Sequence, residues 1–208
     1  MPTITPWEVK KKLTKRQIEI LLGTLLGDGR LQSQSNRSAR LRIEHSLKQK
    51  FYVLWKYQEF ENIMESKPPK IMKRRNPIFG KTYWYCRCES LNRTELKGFY
   101  NLFYRGKRKV IPKELKDLLK SRLSLAVWYM DDGYYYRKDK NAYIYLSNYS
   151  KKEFQLLQKI LRKNFDLDTH LYRKKKGYCF YFPVKETEKL IKLVKPYILK
   201  GFKYKISS

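Results

Sequence analysis

The chain has 208 residues, with 48 lysines and arginines against 19 aspartates and glutamates, a formal charge of +29. A compact body with that excess repels itself unless a polyanion neutralises it, which makes nucleic acid the first partner to expect. No apolar run reaches the about 18 residues of a spanning helix, and the cations are spread along the chain, which argues against a membrane. Cys86, Cys88 and Cys179, an odd set with no CxxC pair, and only two histidines argue against a disulfide framework and a zinc site.

Residues 1–13 read as a loose basic lead-in, and no signal-peptide pattern opens the chain, so the protein is expected to stay in the compartment where it is made. Thr14-Lys-Arg-Gln17 is a capping box that starts a helix through IEILLGTLLGD. Gly23 and Gly27 share one helix face and invite close approach of a partner helix, and Gly29 is placed to end the helix in a left-handed conformation. A hairpin of GRLQSQ with ARLRIEH follows. A second box, Ser46 to Gln49, predicts a helix through FYVLWKYQEFENIM; then come the strand pair PKIMKRR and TYWYCRCES and a helix carrying Leu96, Phe99, Tyr100 and Phe103. Alternation in TYWYCRCES puts Cys86 and Cys88 on one face as buried strand residues.

The same succession then repeats. Asp28 ends LLGTLLGDG and Asp132 ends LAVWYMDDG, 104 residues on, and the box Ser150 to Glu153 lies at the same offset from Ser46 to Gln49. Ser121 or Ser124 caps the helix through LAVWYMDD, which Gly133 ends. The hairpin GYYYRK with AYIYLSN, a helix striped by Phe154, Leu157, Ile160, Leu161 and Phe165, the pair THLYRKK and GYCFYFP, and a last helix with Leu190, Ile191, Val194 and Ile198 complete it. The expected class is α+β: a lead-in, a first half at 14–118 and a second at 119–208, each half αββαββα with antiparallel strands.

Leu41 and Ile43 alternate with Arg40 and Arg42, and Ile144 and Leu146 with Tyr143 and Tyr145, so each sheet is expected to pack one face on helices and present cations and phenols on the other. Such faces suit a groove for a duplex. An aspartate at a helix C-terminus adds charge where about half a negative charge already sits, so something local must offset it. If the two apolar helices pack side by side, Asp28, Asp132 and free carbonyls form a set of hard oxygens that suits Mg²⁺.

LLGTLLGDG and LAVWYMDDG, with the upstream KVIP and downstream KPY, resemble the two motifs of the LAGLIDADG homing endonucleases in their single-chain, monomeric form, over nearly the whole chain. The resemblance implies motif helices at the interface of two pseudo-symmetric halves, antiparallel sheets forming a DNA-binding saddle, and Mg²⁺-dependent double-strand cleavage of a long DNA site, with Mn²⁺ able to substitute. It places metal binding on Asp28 and Asp132, with Gly27 and Asp131 offering carbonyls. It also places Lys109, before Ile-Pro, and Lys205, by its spacing from KPY, near the attacking water. Glu44 with His45, and Ser147 with Asn148, are candidates for the water network. Because Asn148 is read as the counterpart of His45, a symmetric histidine mechanism is not expected.

Arg40, Arg42, Lys73, Arg75, Tyr143, Arg173 and Lys175 are candidate DNA contacts. Two other functions stay open: an intron RNA maturase on the same fold and a non-catalytic DNA-binding regulator. Retention of both aspartates favours cleavage, since a pure binder gains nothing from carboxylates facing phosphates.

Overall fold

The computed structural model describes residues 13–33, 35–146, 149–174 and 177–206; most of the expected lead-in, together with Ser147, Asn148 and Lys175, lies outside them. Leu13, the last residue of that lead-in, is buried.

The first repeat runs α1 (Lys15–Leu26), β1 (Arg30–Ser33), β2 (Ala39–Ser46), α2 (Lys50–Glu59), β3 (Lys70–Arg75), β4 (Thr82–Glu89) and α3 (Thr94–Phe103). A connection follows with β5 (Tyr104–Arg105), β6 (Arg108–Lys109) and a single turn, α4 (Leu115–Leu118). The second repeat is α5 (Arg122–Asp132), β7 (Gly133–Tyr136), β8 (Asn141–Leu146), α6 (Lys151–Phe165), β9 (His170–Lys174), β10 (Gly177–Phe182) and α7 (Val184–Val194), ending in 3₁₀ turns. The sheets have matching antiparallel orders, β1-β2-β4-β3 and β7-β8-β10-β9, as the repeated hairpins predict. No helix among the described residues is long and apolar enough to cross a membrane.

The chain forms two compact units. One holds Asp28–Asn101 with the described residues before Ile18; the other holds Ile18–Gly27 and the described residues from Leu102 on. Most of α1 therefore belongs with the second repeat. In the first unit Leu41, Ile43, Cys86 and Cys88 face Tyr52 and Val53 of α2, all buried. Burial, with Cys86 next to it, pushes the Cys88 thiol up to about 12, so it packs as a small apolar side chain. In the second unit Phe180 meets Trp128 edge-on at 6.3 Å and Phe154 at 5.1 Å, while the whole predicted stripe of α6 is buried.

Local signals decided two of the three predicted boxes. Gln17 N donates to Thr14 Oγ1 at 3.1 Å and Thr14 N to Gln17 Oε1 at 3.0 Å, and Ser150 with Glu153 makes the same reciprocal pair. Ser46 does not cap. It ends β2 in extended conformation, a 3₁₀ turn Leu47–Gln49 intervenes, and α2 starts at Lys50 without a side-chain cap. Gly29 is not left-handed either: among the described glycines positive φ falls at Gly80, Gly106 and Gly177. The first motif helix passes through a turn at Gly27 and Asp28 before β1, whereas the second runs directly into β7, with Gly133 extended at φ −75° and ψ 147°.

Candidate active site

The two motif helices meet at glycines. A Cβ on Gly23 would lie 2.4 Å from the Ser124 carbonyl oxygen and 2.7 Å from Val127 Cβ; one on Gly27 would lie 2.4 Å from the Asp131 carboxylate. Ser124, which the sequence left open as a cap, instead donates to Glu19 O across this seam at 2.7 Å, and Ser121 caps α5 by accepting from Leu123 N. Trp128 and Tyr129, bulky for such a seam, are buried elsewhere: Trp128 against Phe180, Tyr129 with its hydroxyl donating to Lys205 O at 2.7 Å.

Lysines supply the positive charge that the two helix ends need. Lys109 Nζ donates to Gly27 O at 2.9 Å, and buried Lys205 Nζ donates to Met130 O at 2.6 Å and Asp131 O at 3.3 Å. Gly27 and Asp131 are equivalent positions of the repeat, so the fold restores a symmetry that the spacing of the two lysines does not follow. Each ammonium neutralises part of the negative end of a helix dipole just where a carboxylate begins.

Elements that sequence periodicity did not reveal hold these lysines. Lys109 sits in the two-residue strand β6, and its neighbour Arg108 pairs with Glu153 of the α6 capping box, which also accepts from Ser150 N at 2.7 Å and Ile111 N at 3.2 Å. Burial opposes ionisation of Glu153, but these hydrogen bonds and Arg108 outweigh it and hold the carboxyl below the usual glutamate range. A lowered folded-state pKa contributes stability above the unfolded pKa and loses it as pH falls through the folded value. Wild type is therefore expected to melt higher than Glu153→Gln at pH 7, with the difference vanishing as the carboxylate range is crossed; circular-dichroism melts at several pH values check it. Lys205 is set by the 3₁₀ segment Lys200–Lys205, with Phe202 buried beneath it.

In the first unit Asp28, whose side chain is 52% exposed, has its Oδ2 3.5 Å from His45 Nδ1. Behind His45 lies Lys56, with no exposed surface, its Nζ 3.5 Å from Nε2 and 4.2 Å above the Tyr52 ring. With Nε2 turned toward Lys56, the ring nitrogen that faces Asp28 is Nδ1. Sequence reasoning missed Lys56; a lysine at an otherwise apolar position of α2 was the available signal.

In the second unit the residue 104 beyond His45 is Tyr149 and not Asn148, as the shared offset of the two serines Ser46 and Ser150 already implies. The Tyr149 hydroxyl is buried, and burial, then the nearby Asp132 charge, pushes its ionisation well up, so it remains a neutral phenol. Ser147 and Asn148 lie outside the described residues.

Other predicted residues separate by strand alternation. Glu44 points to the opposite face of β2 from His45 and accepts from Arg87 Nε at 2.9 Å, away from Asp28. Arg40 and Arg42 are on that outer face but ion-paired to Glu89, at 2.9 and 2.5 Å. Lys73 and Arg75 pair with Trp84 and Thr82, which puts them on the reverse face, and Arg74 takes their place on the outer one. Tyr143 lies on the outer face of the second sheet, whereas Arg173 pairs with Tyr178 on the helix side; Lys175 is outside the described residues.

Residues 18–190 match the model of the LAGLIDADG DNA endonuclease family. "Probable intron-encoded endonuclease 1" of Wickerhamomyces canadensis is 30% identical over 93% of this chain and 85% of its own length. "Cytochrome b mRNA maturase bI2" of Debaryomyces hansenii is 24% identical over 95% of this chain and 76% of its own. The solved structure of the homing endonuclease I-WcaI bound to its DNA recognition sequence superposes with a TM-score of 0.86 at 27% identity, covering 96% of this chain and 91% of that one. With both motif helices matched and the αββαββα repeat in place, the chain belongs to the LAGLIDADG DNA endonuclease family.

Proposed function

We propose that this protein is a monomeric homing endonuclease that makes a double-strand break at a specific long DNA site by divalent-metal-dependent hydrolysis, with Mg²⁺ as the ion and Mn²⁺ as a substitute. The observation that carries this is the duplicated helix end: an aspartate follows or closes each motif helix, and a lysine ammonium is bound to the equivalent carbonyl of each, Gly27 and Asp131. In this reading the repeat halves, 14–118 and 119–208, each engage half of the target.

The donor chemistry fits a hard cation. In the first unit the Asp28 carboxylate lies beside a single imidazole, His45, whose Nδ1 faces it; in the second the donors are the carboxylates of Asp131 and Asp132 and the carbonyls of Gly27 and Asp131. Bound there, the ion would lower the pKa of water and neutralise charge on the leaving oxygen. Asp28 and Asp132 would hold it, His45 would orient the Asp28 carboxylate, and Lys109 and Lys205 would stabilise charge developing on phosphate.

The test is selection of cleavable sequences from a random duplex library with Mg²⁺. Recovery of one long motif, cut on both strands and dependent on the ion, is the expected result. The maturase-named relative supports a second reading, RNA binding in splicing. A protein that cuts nothing in the library but binds structured intron RNA tightly would establish that reading instead.

A further inference from the structure

The outer faces of the two sheets carry different chemistry. On the first, Arg30, Arg40, Arg42, Arg74 and Arg87 share the surface with Glu44 and Glu89. On the second, Tyr134 pairs with Tyr143, Tyr143 with Tyr181, and Tyr145 and Tyr172 both pair with Cys179; with Tyr136, they put six phenols on one face and no guanidinium. Cations border it in the exposed turn Arg137 to Lys140, and Lys174 Nζ reaches over the Tyr143 ring, 5.8 Å from its centroid.

These rings lean on one another. Tyr143 lies 5.3 Å from Tyr181 and 5.8 Å from Tyr145, Tyr172 lies 5.1 Å from Tyr181, and Tyr134 lies 6.5 Å from Tyr136. Ring faces engaged in this way cannot open to sandwich an extruded base. Tyr134, Tyr136, Tyr145 and Tyr172 remain 36–48% exposed. Tyrosines have few rotatable bonds, so the pavement is a stiff, mostly apolar surface inside a basic rim. Burial and neighbouring hydroxyls push the Tyr143 phenol up, and burial does the same for Tyr145, so neither presents a phenolate to a phosphate.

We propose that this tyrosine face reads its part of the target through thymine C5-methyl groups in the major groove, selecting an A·T-rich segment while the rim cations hold the backbone. The C5-methyl is the one apolar group the major groove displays, and it distinguishes T·A from every other pair without any charge on the protein. The inference rests on the reading of the chain as a DNA endonuclease and adds to it the chemical class of sequence that the second sheet prefers.

Replacing thymine by deoxyuridine removes the methyl and leaves pairing and charge unchanged. The experiment is a scan of single deoxyuridine replacements through a duplex that wild type cleaves, with binding measured for wild type, Tyr143→Phe, Tyr143→Ser and Tyr145→Ser. A cluster of positions is expected at which each lost methyl weakens wild-type binding about fourfold. Tyr143→Phe should keep this sensitivity, because it keeps the ring, and the serine variants should lose it. The proposal is overturned if no position responds in wild type, which needs no variant to fold, or if folded serine variants respond as wild type does. Tighter binding of single-stranded pyrimidine RNA than of the duplex would also overturn it. If wild type binds no duplex, the DNA reading itself has failed, and that result is distinguishable from the others.

Discussion

Asp28→Asn and Asp132→Asn are each expected to reduce double-strand cleavage by about a thousandfold or more while binding to the target persists. The amide keeps the size of the side chain and removes the charge that would hold the cation, and several kcal/mol of charge stabilisation corresponds to roughly that factor at ~1.36 kcal/mol per decade. Their surroundings differ: Asp28 is half exposed beside an imidazole backed by a buried lysine, whereas Asp132 lies near a buried phenol. Single variants should therefore act mainly as nicking enzymes with unequal residual rates on the two strands. Nicked-circle formation from a supercoiled plasmid carrying the selected site measures this. A variant that linearises the plasmid at the wild-type rate would remove that aspartate from the proposed site.

The second large effect is expected at Gly23. On an exposed helix, glycine to alanine gains about 1 kcal/mol of helix propensity. Here the added Cβ would sit 2.4 Å from the Ser124 carbonyl oxygen, a backbone atom that can move only if α5 moves. Overpacking of this kind costs typically about 1–3 kcal/mol, occasionally more, so the clash wins. Gly23→Ala should lower the melting temperature by roughly 2–12 °C, given about 2–4 °C per kcal/mol for a chain of this size. Gly27→Ala would bring its Cβ to 2.5 Å from Asp131 Cβ as well as 2.4 Å from the Asp131 carboxylate, so it should lower the melting temperature and cleavage together. An unchanged or raised melting temperature for Gly23→Ala would mean that the seam is looser than the structure has it.

Short-range signals carried much of this fold into view. The reciprocal boxes at Thr14 and Ser150 depend on residues three apart, and they formed; the glycine pair of α1 and the apolar stripe of α6 also behave as their spacing predicts. Ser46 has the same local pattern as Ser150, but β2 continues through it, pairing it with Tyr85, and the ladder took precedence over the cap. The candidate site divides along the same line. Asp28, Asp132, Lys109 and Lys205 stand within motifs, whereas Lys56 and Tyr149 acquire their meaning only when α2 folds over β2 and when the repeat is aligned residue for residue. Strand parity, too, was readable for Arg40 and Arg42, yet which of Lys73, Arg74 and Arg75 joins them depends on the β3–β4 register, and composition says nothing about that.

The membership of Ile18–Gly27 in the second unit has a practical side for anyone dividing or recombining such proteins. A cut at the repeat boundary would leave the C-terminal fragment without the helix whose glycines receive Ser124 and Val127, exposing an apolar groove shaped for one particular strip of backbone. The natural module for transplantation is therefore discontinuous in the gene. A graft of 102–208 should be soluble only when 18–27 travels with it, supplied within the same chain or as a separate peptide.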